Sequence, residues 1–88
     1  MEEFLMVPVQ NIFARFSVIN GTSYLALNHD LFEINDVGQV IWESIDGNRD
    51  VKGISVEVAN KYKTDVETVQ GDVKDFVEML LKKGLAEA

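Results

Sequence analysis

The residue types that do chemistry are sparse in this chain. There is one histidine, His29, and no cysteine, so neither a thiolate metal site nor a disulfide framework can form. A lone histidine without cysteine or a carboxylate cluster does not build a zinc site. His29 falls in Asn28-His29-Asp30, between two apolar runs, and reads as a turn residue that tolerates positive φ. Ser17, Ser23, Ser44 and Ser55 have no base partner in evident reach, so nucleophilic catalysis has no candidate. The glycines match no phosphate-loop spacing. Asp46, Asn48 and Asp50 resemble a fragment of a calcium loop, but the glutamate that closes such loops is missing, and the three read as helix-cap chemistry. The chain thus has no catalytic constellation.

The totals point the same way. Eighty-eight residues make one domain with a modest core, and 47% apolar residues are those of a folded chain. Fifteen acidic and eight basic residues leave a net charge of −7. Nucleic-acid binding rests on Lys and Arg neutralising phosphates, so that balance weighs against it. No apolar run approaches the roughly 18 residues of a membrane span. The acidic N-terminus is not a signal peptide, which makes the cytoplasm the expected location.

The elements follow from periodicity. Met1–Asn11 holds Glu2-Glu3, an apolar patch (Phe4, Leu5, Met6, Val7) and the only proline, Pro8; it reads as a flexible arm or an extra edge segment. Ile12–Ile19 alternates with period two, which argues a strand, with Ile12, Ala14, Phe16 and Val18 on its core face. Asn20-Gly21 is a type I′ hairpin signal. With those two residues as the loop, Phe16 faces Leu25, Ser17 faces Tyr24 and Ala14 faces Leu27. A His29-Asp30 loop would next pair Leu27 with Phe32 and Leu25 with Ile34. The third strand then points Phe32 and Ile34 inward and Leu31 and Glu33 outward, near Tyr24 and Ala26, and keeps one free edge.

Three helices come next. Asn35 caps the first, with Asp36 in its first turn, an apolar stripe of Val37, Ile41 and Ile45, and Gly47 as its stop. Trp42 lies at the margin of that stripe. It reads as a core-edge aromatic, with a partner-protein anchor as the sharper alternative. Asp50 caps the second helix, striped by Val51, Ile54, Val58 and Tyr62. Asp65 caps the third, in which Val66, Val69, Val73, Val77 and Leu80 make the centre of the apolar face, Leu81 widens one edge, and Phe76 and Met79 widen the other. A surface helix needs only about 100° of apolar face, so the excess predicts a second contact. The fold class expected is α+β: a three-stranded antiparallel sheet followed by three helices, β-β-β-α-α-α, as one domain over 1–88.

The pieces LFEIN, IWESIDGNRDV, VEVANKY and DVKDFVEMLLKKGL, in that order and spacing across Leu31–Leu85, resemble the PqqD-like peptide chaperones, the RiPP recognition elements. Ile41-Trp42 looks closer to the stand-alone lasso-peptide chaperones. The chain also lacks the Pro-Glu that members of the pyrroloquinoline quinone pathway carry before the third strand. The resemblance implies a winged-helix-like, non-catalytic module without metal or cofactor. Such a module binds the leader of a ribosomally made precursor peptide and presents it to a leader peptidase, a cyclase or a radical SAM maturase. The leader would add as a strand to Leu31, Phe32, Glu33, Ile34 and Asn35, and lie beside the third helix. Asp72 matches the aspartate of the family's Asp-Val pair and carries over as a leader contact. By position, Phe76 and Met79 would receive apolar leader side chains, and Asp75 and Lys83 would be polar rim contacts. Two other readings stand beside it: a winged-helix DNA-binding module, and a small enzyme subunit docking through Trp42 and the N-terminal patch. A free sheet edge also permits pairing between copies as a homodimer.

Overall fold

The computed structural model describes residues 5–88; Met1–Phe4, the start of the expected arm, lies outside them. The chain first lays down a two-residue strand, β1 (Val9–Gln10). A meander follows, β2 (Arg15–Ile19), β3 (Thr22–Leu27) and β4 (Asp30–Ile34). The helices α1 (Asp36–Ser44), α2 (Val51–Tyr62) and α3 (Val66–Lys82) come next. A last short strand, β5 (Ala86–Glu87), pairs with β1. The expected α+β order of three antiparallel strands and three helices is therefore the observed one, with the sheet order β2-β3-β4.

The first hairpin has the expected register: Phe16 opposes Leu25 and Ser17 opposes Tyr24. Asn20 and Gly21 both hold positive φ, as a type I′ turn requires. The strand is shorter than its alternation suggested, because Ile12 and Phe13 lie in a turn in which the Asn11 side chain accepts the Phe13 N–H at 2.9 Å. Ile12 is consequently 86% exposed rather than on the core face.

The second turn differs from the expected His29-Asp30. Leu27 opposes Asp30 and Leu25 opposes Phe32, so the loop is Asn28-His29. Asn28 takes the positive φ, a conformation that asparagine adopts readily. The loop moves by one residue and the pairing register by two, and period-two patterning cannot see an even shift in register. The faces are unchanged: Leu31 sits opposite Ala26 and Glu33 opposite Tyr24, outside the core.

Asn35 caps α1 by accepting the Gly38 N–H at 2.8 Å, and Asp50 caps α2 by accepting that of Gly53 at 2.7 Å. Asp65 occupies the N-cap position of α3 without a side-chain capping bond. Helix α1 stops at Ser44, short of the expected Gly47. Beyond it, the Asp46 carboxylate accepts the amides of Asn48 and Arg49, a local alternative to continuing the helix. Leu25 and Ile34 from the sheet meet Ile41, Trp42, Ile45, Val51, Ile54, Val58, Val73, Val77, Leu80 and Leu85 in one core. Trp42 is only 5% exposed, which removes it as a docking anchor. The N-terminal segment covers this region: Gln10 donates to the Trp42 carbonyl, Met6 packs on the core and Pro8 is buried. Tyr62 extends past the core and is 41% exposed.

Candidate peptide-docking site

The backbone register of β4 decides which groups it offers. Residues flanking a two-residue hairpin loop form a hydrogen-bonded pair, and such pairs alternate along an antiparallel ladder. Asp30, Phe32 and Ile34 therefore exchange bonds with β3, while the amides and carbonyls of Leu31 and Glu33 point away from the sheet. Among the described residues, no strand lies on that side. Leu31 is 57% exposed and Glu33 is exposed too. The buried side chain of Ile34 and the half-buried Phe32 hold the strand to the core, and Asn35, by capping α1, fixes its end.

Helix α3 runs past this edge in the opposite direction. At one end, a cavity of about 220 Å³ is lined by Asn35, Val37, Gly38, Ile41, Asp72 and Phe76. At the other, Gly84 comes close to Leu27, which pairs with Asp30: a Cβ at Gly84 would lie 3.8 Å from Leu27 Cδ2. From Phe76 to the end of the helix at Lys82 the rise amounts to roughly 9 Å. From Asp30 to Asn35 the strand covers roughly 17 Å. The edge itself is long enough for an extended segment of about five residues.

The structure thus gathers Asn35, Asp72 and Phe76 at one place and puts Leu31 and Glu33 on the adjoining edge. Asp75 follows Asp72 by one turn and is exposed, and Lys83, also exposed, sits at the far end of the helix; neither lines the cavity. Phe76 and Met79 are half-buried and pack on the core, so part of the widened face of α3 closes the domain itself. Sequence reasoning missed Gly38, and took Val37 and Ile41 for core stripe alone. The signal was a glycine inside a helix, against its propensity. Its role is room: a Cβ there would lie 2.9 Å from Phe76 Cε1 and 3.0 Å from Cζ.

A larger cleft, about 540 Å³, lies between α1 and α2 among Val40, Glu43, Ser44, Arg49, Glu57, Asn60 and Lys61. Its charges already serve the fold. Arg49 reaches the Ser44 carbonyl at 3.1 Å, Asp46 at 3.3 Å and Glu57 at 3.8 Å, tying the α1–α2 loop to both helices. That cleft also lacks a free backbone edge. The β4 edge has one, with the Asn35–Asp72–Phe76 cavity at its end, and is the better peptide site although that cavity is smaller.

A family model described as Coenzyme PQQ synthesis protein D (PqqD) matches residues 19–86. A PqqA binding protein of Rhizobium meliloti (strain 1021) is 26% identical over 69 residues, covering 78% of this chain and 70% of that protein. TbiB1, solved in complex with the TbiA(beta) leader peptide, shares the fold at a TM-score of 0.75 and 23% identity, over 91% of this chain and 95% of TbiB1. The solution structure of the PqqD part of Methylobacterium extorquens PqqCD is described as a functional, stand-alone RiPP recognition element. It shares the fold at a TM-score of 0.78 and 19% identity, over 93% of this chain and 89% of that one. With the family model matching from the end of β2 to the start of β5, this chain belongs to the PqqD family.

Proposed function

We propose that this protein is a non-catalytic RiPP recognition element of the cytoplasm. It binds the leader of a precursor peptide as a fourth strand on β4, and presents that precursor to a modifying enzyme or leader peptidase. The observation that carries the reading is the pair of outward backbone positions, Leu31 and Glu33, on a strand held rigid beside the Asn35–Asp72–Phe76 cavity. Strand addition takes its affinity from such backbone groups and its specificity from adjoining pockets. Asp72 and Asp75 contact the leader from α3, Phe76 and Met79 receive apolar leader side chains, and Lys83 meets the far end of the segment. Leu31 and Glu33 touch its outer face, while Phe32, Ile34 and Asn35 hold the edge in place.

A lasso-peptide or related pathway is the preferred setting, supported by Ile41-Trp42 and the missing Pro-Glu before β4. The second setting, a PqqD-type partner of a radical SAM maturase, is favoured by the family model. Adjacent genes separate the two: a precursor frame beside a protease and a cyclase means the first, and one beside a radical enzyme means the second. A DNA-binding winged helix is disfavoured by the acidic balance, and a gel shift at low salt tests it.

The direct test titrates the leader encoded by the adjacent precursor frame into wild type and Leu31→Pro. Proline removes an amide that β3 does not use, so the ladder keeps its bonds. Binding is expected to vanish while the circular dichroism of the helices is retained. Undiminished affinity in a well-folded variant rules strand addition out.

A further inference from the structure

Among the described residues the sheet has a second free edge, on β2, opposite the one proposed for the leader. In β2, Arg15, Ser17 and Ile19 exchange bonds with β3, so the amides and carbonyls of Phe16 and Val18 point away from the sheet. The side chains there are apolar and exposed: Phe16 is 36%, Val18 58% and Ile19 47% accessible. Ile12 and Phe13, just before the strand, are 86% and 72% accessible. Proteins protect free edges with charges, proline or bulges. Here the only charged residue on the strand is Arg15.

We propose that β2 is a two-fold pairing surface on which a second copy of this chain adds antiparallel, with Ser17 on the dyad. The strand is self-complementary about that point. Ser17 faces Ser17 of the second copy as a non-hydrogen-bonded pair, which leaves its own bonds to β3 intact. Phe16 then opposes Val18 of the second copy and exchanges both backbone bonds with it, using the groups that β3 leaves free. Phe16 and Val18 share one face of β2, the face that carries Leu25 on β3, so the two cores join across the dyad. Arg15 falls opposite Ile19, not opposite a like charge. The fixed register also places Ile12 and Phe13 near the second copy's Asn20-Gly21 turn.

Charge selects this edge over the other. Two copies of a −7 protein repel, and pairing through β4 would put two carboxylates of each copy, Asp30 and Glu33, into the seam, whereas β2 carries no carboxylate. Such pairing gives a six-stranded sheet with both β4 edges outermost and free. The interface is isologous, as closed two-fold dimers require. A strand of five residues with its flanking side chains falls short of the roughly 800 Å² per partner of a standard interface, which makes the dimer dissociable.

The test is sedimentation of the full chain from about 10 μM to about 1 mM, the range in which a small interface assembles. Wild type is expected to rise toward twice the monomer mass, and Val18→Lys to remain monomeric with an unchanged circular dichroism spectrum. Because the chain has no cysteine, Ser17→Cys should crosslink to a dimer under mild oxidation, and Thr22→Cys, away from the dyad, should not. A wild type that stays monomeric at the top of the range overturns the proposal. So does a dimer that survives Val18→Lys but is lost in Leu31→Lys, because β4 would then be the pairing edge. A folded, oxidised Ser17→Cys that fails to crosslink removes the two-fold register.

Discussion

The ring of Phe76 on α3 rests against Gly38 on α1, so closely that a Cβ at Gly38 would lie 2.9 Å from Phe76 Cε1. The same position would put that Cβ 3.3 Å from Asn35 Oδ1, the cap of α1. One glycine therefore sets the spacing of the two helices, the seat of the ring and the shape of the cavity at the end of β4.

Gly38→Ala should displace the Phe76 ring. Overpacking costs about 1–3 kcal/mol, and the helical preference for alanine returns about 1 kcal/mol, so stability should fall only slightly. Leader affinity should fall several-fold, because the cavity wall moves. Calorimetric titration alongside a urea melt separates the two effects. A variant with unchanged affinity would place the leader's apolar side chain elsewhere than this cavity.

Asp46 gives the fold an acid-sensitive point. Its carboxylate is held below the ordinary value of 3.8, first by the amide of Asn48 and further by the Arg49 amide and guanidinium. A depressed folded-state pKa stabilises the fold above the ordinary value, and the contribution disappears as the pH falls through the lower one. Asp46→Ala should therefore be less stable than wild type at neutral pH. The gap should close as the pH drops below about 3.8. Urea midpoints measured at both ends of that interval check the sign.

Leu85 is fully buried, and its carbonyl accepts the Asn11 amide at 2.9 Å. Leu85→Ala should cost about 2–5 kcal/mol, the usual range for emptying a leucine site in a core. Denaturant unfolding measures the loss. Hydrogen exchange at Asn11 should speed up with it, because the N-terminal segment is anchored through the same residue.

The strand and helix start that frame the candidate site are legible in the sequence, for physical reasons that differ from element to element. Leu31–Ile34 alternates and ends at a strong capping residue, so strand, faces and helix start were all legible. The turn before it lies one residue earlier than the pattern suggests, which shifts the pairing by two; alternation is blind to an even shift in register, and asparagine, histidine and aspartate all tolerate turns. Gly38 could not be interpreted, since its purpose is a ring from a helix 38 residues further on. Trp42 reads as marginal on its own helix, yet it is buried in the core that the N-terminal segment also joins, where Met6 packs and Gln10 donates to the Trp42 carbonyl. Strand β5 was invisible for a similar reason. Two residues carry no period, and only their pairing with β1 makes them a strand.

That pairing has a consequence for how the domain can be used. Val9 lies opposite Glu87, so segments near the two ends of the described chain run side by side. Adjacent ends let a domain be spliced into a loop of another protein, or joined to one at either side, without stretching either backbone. The β1–β5 clasp makes this fold a cassette that a host protein could carry as an insertion.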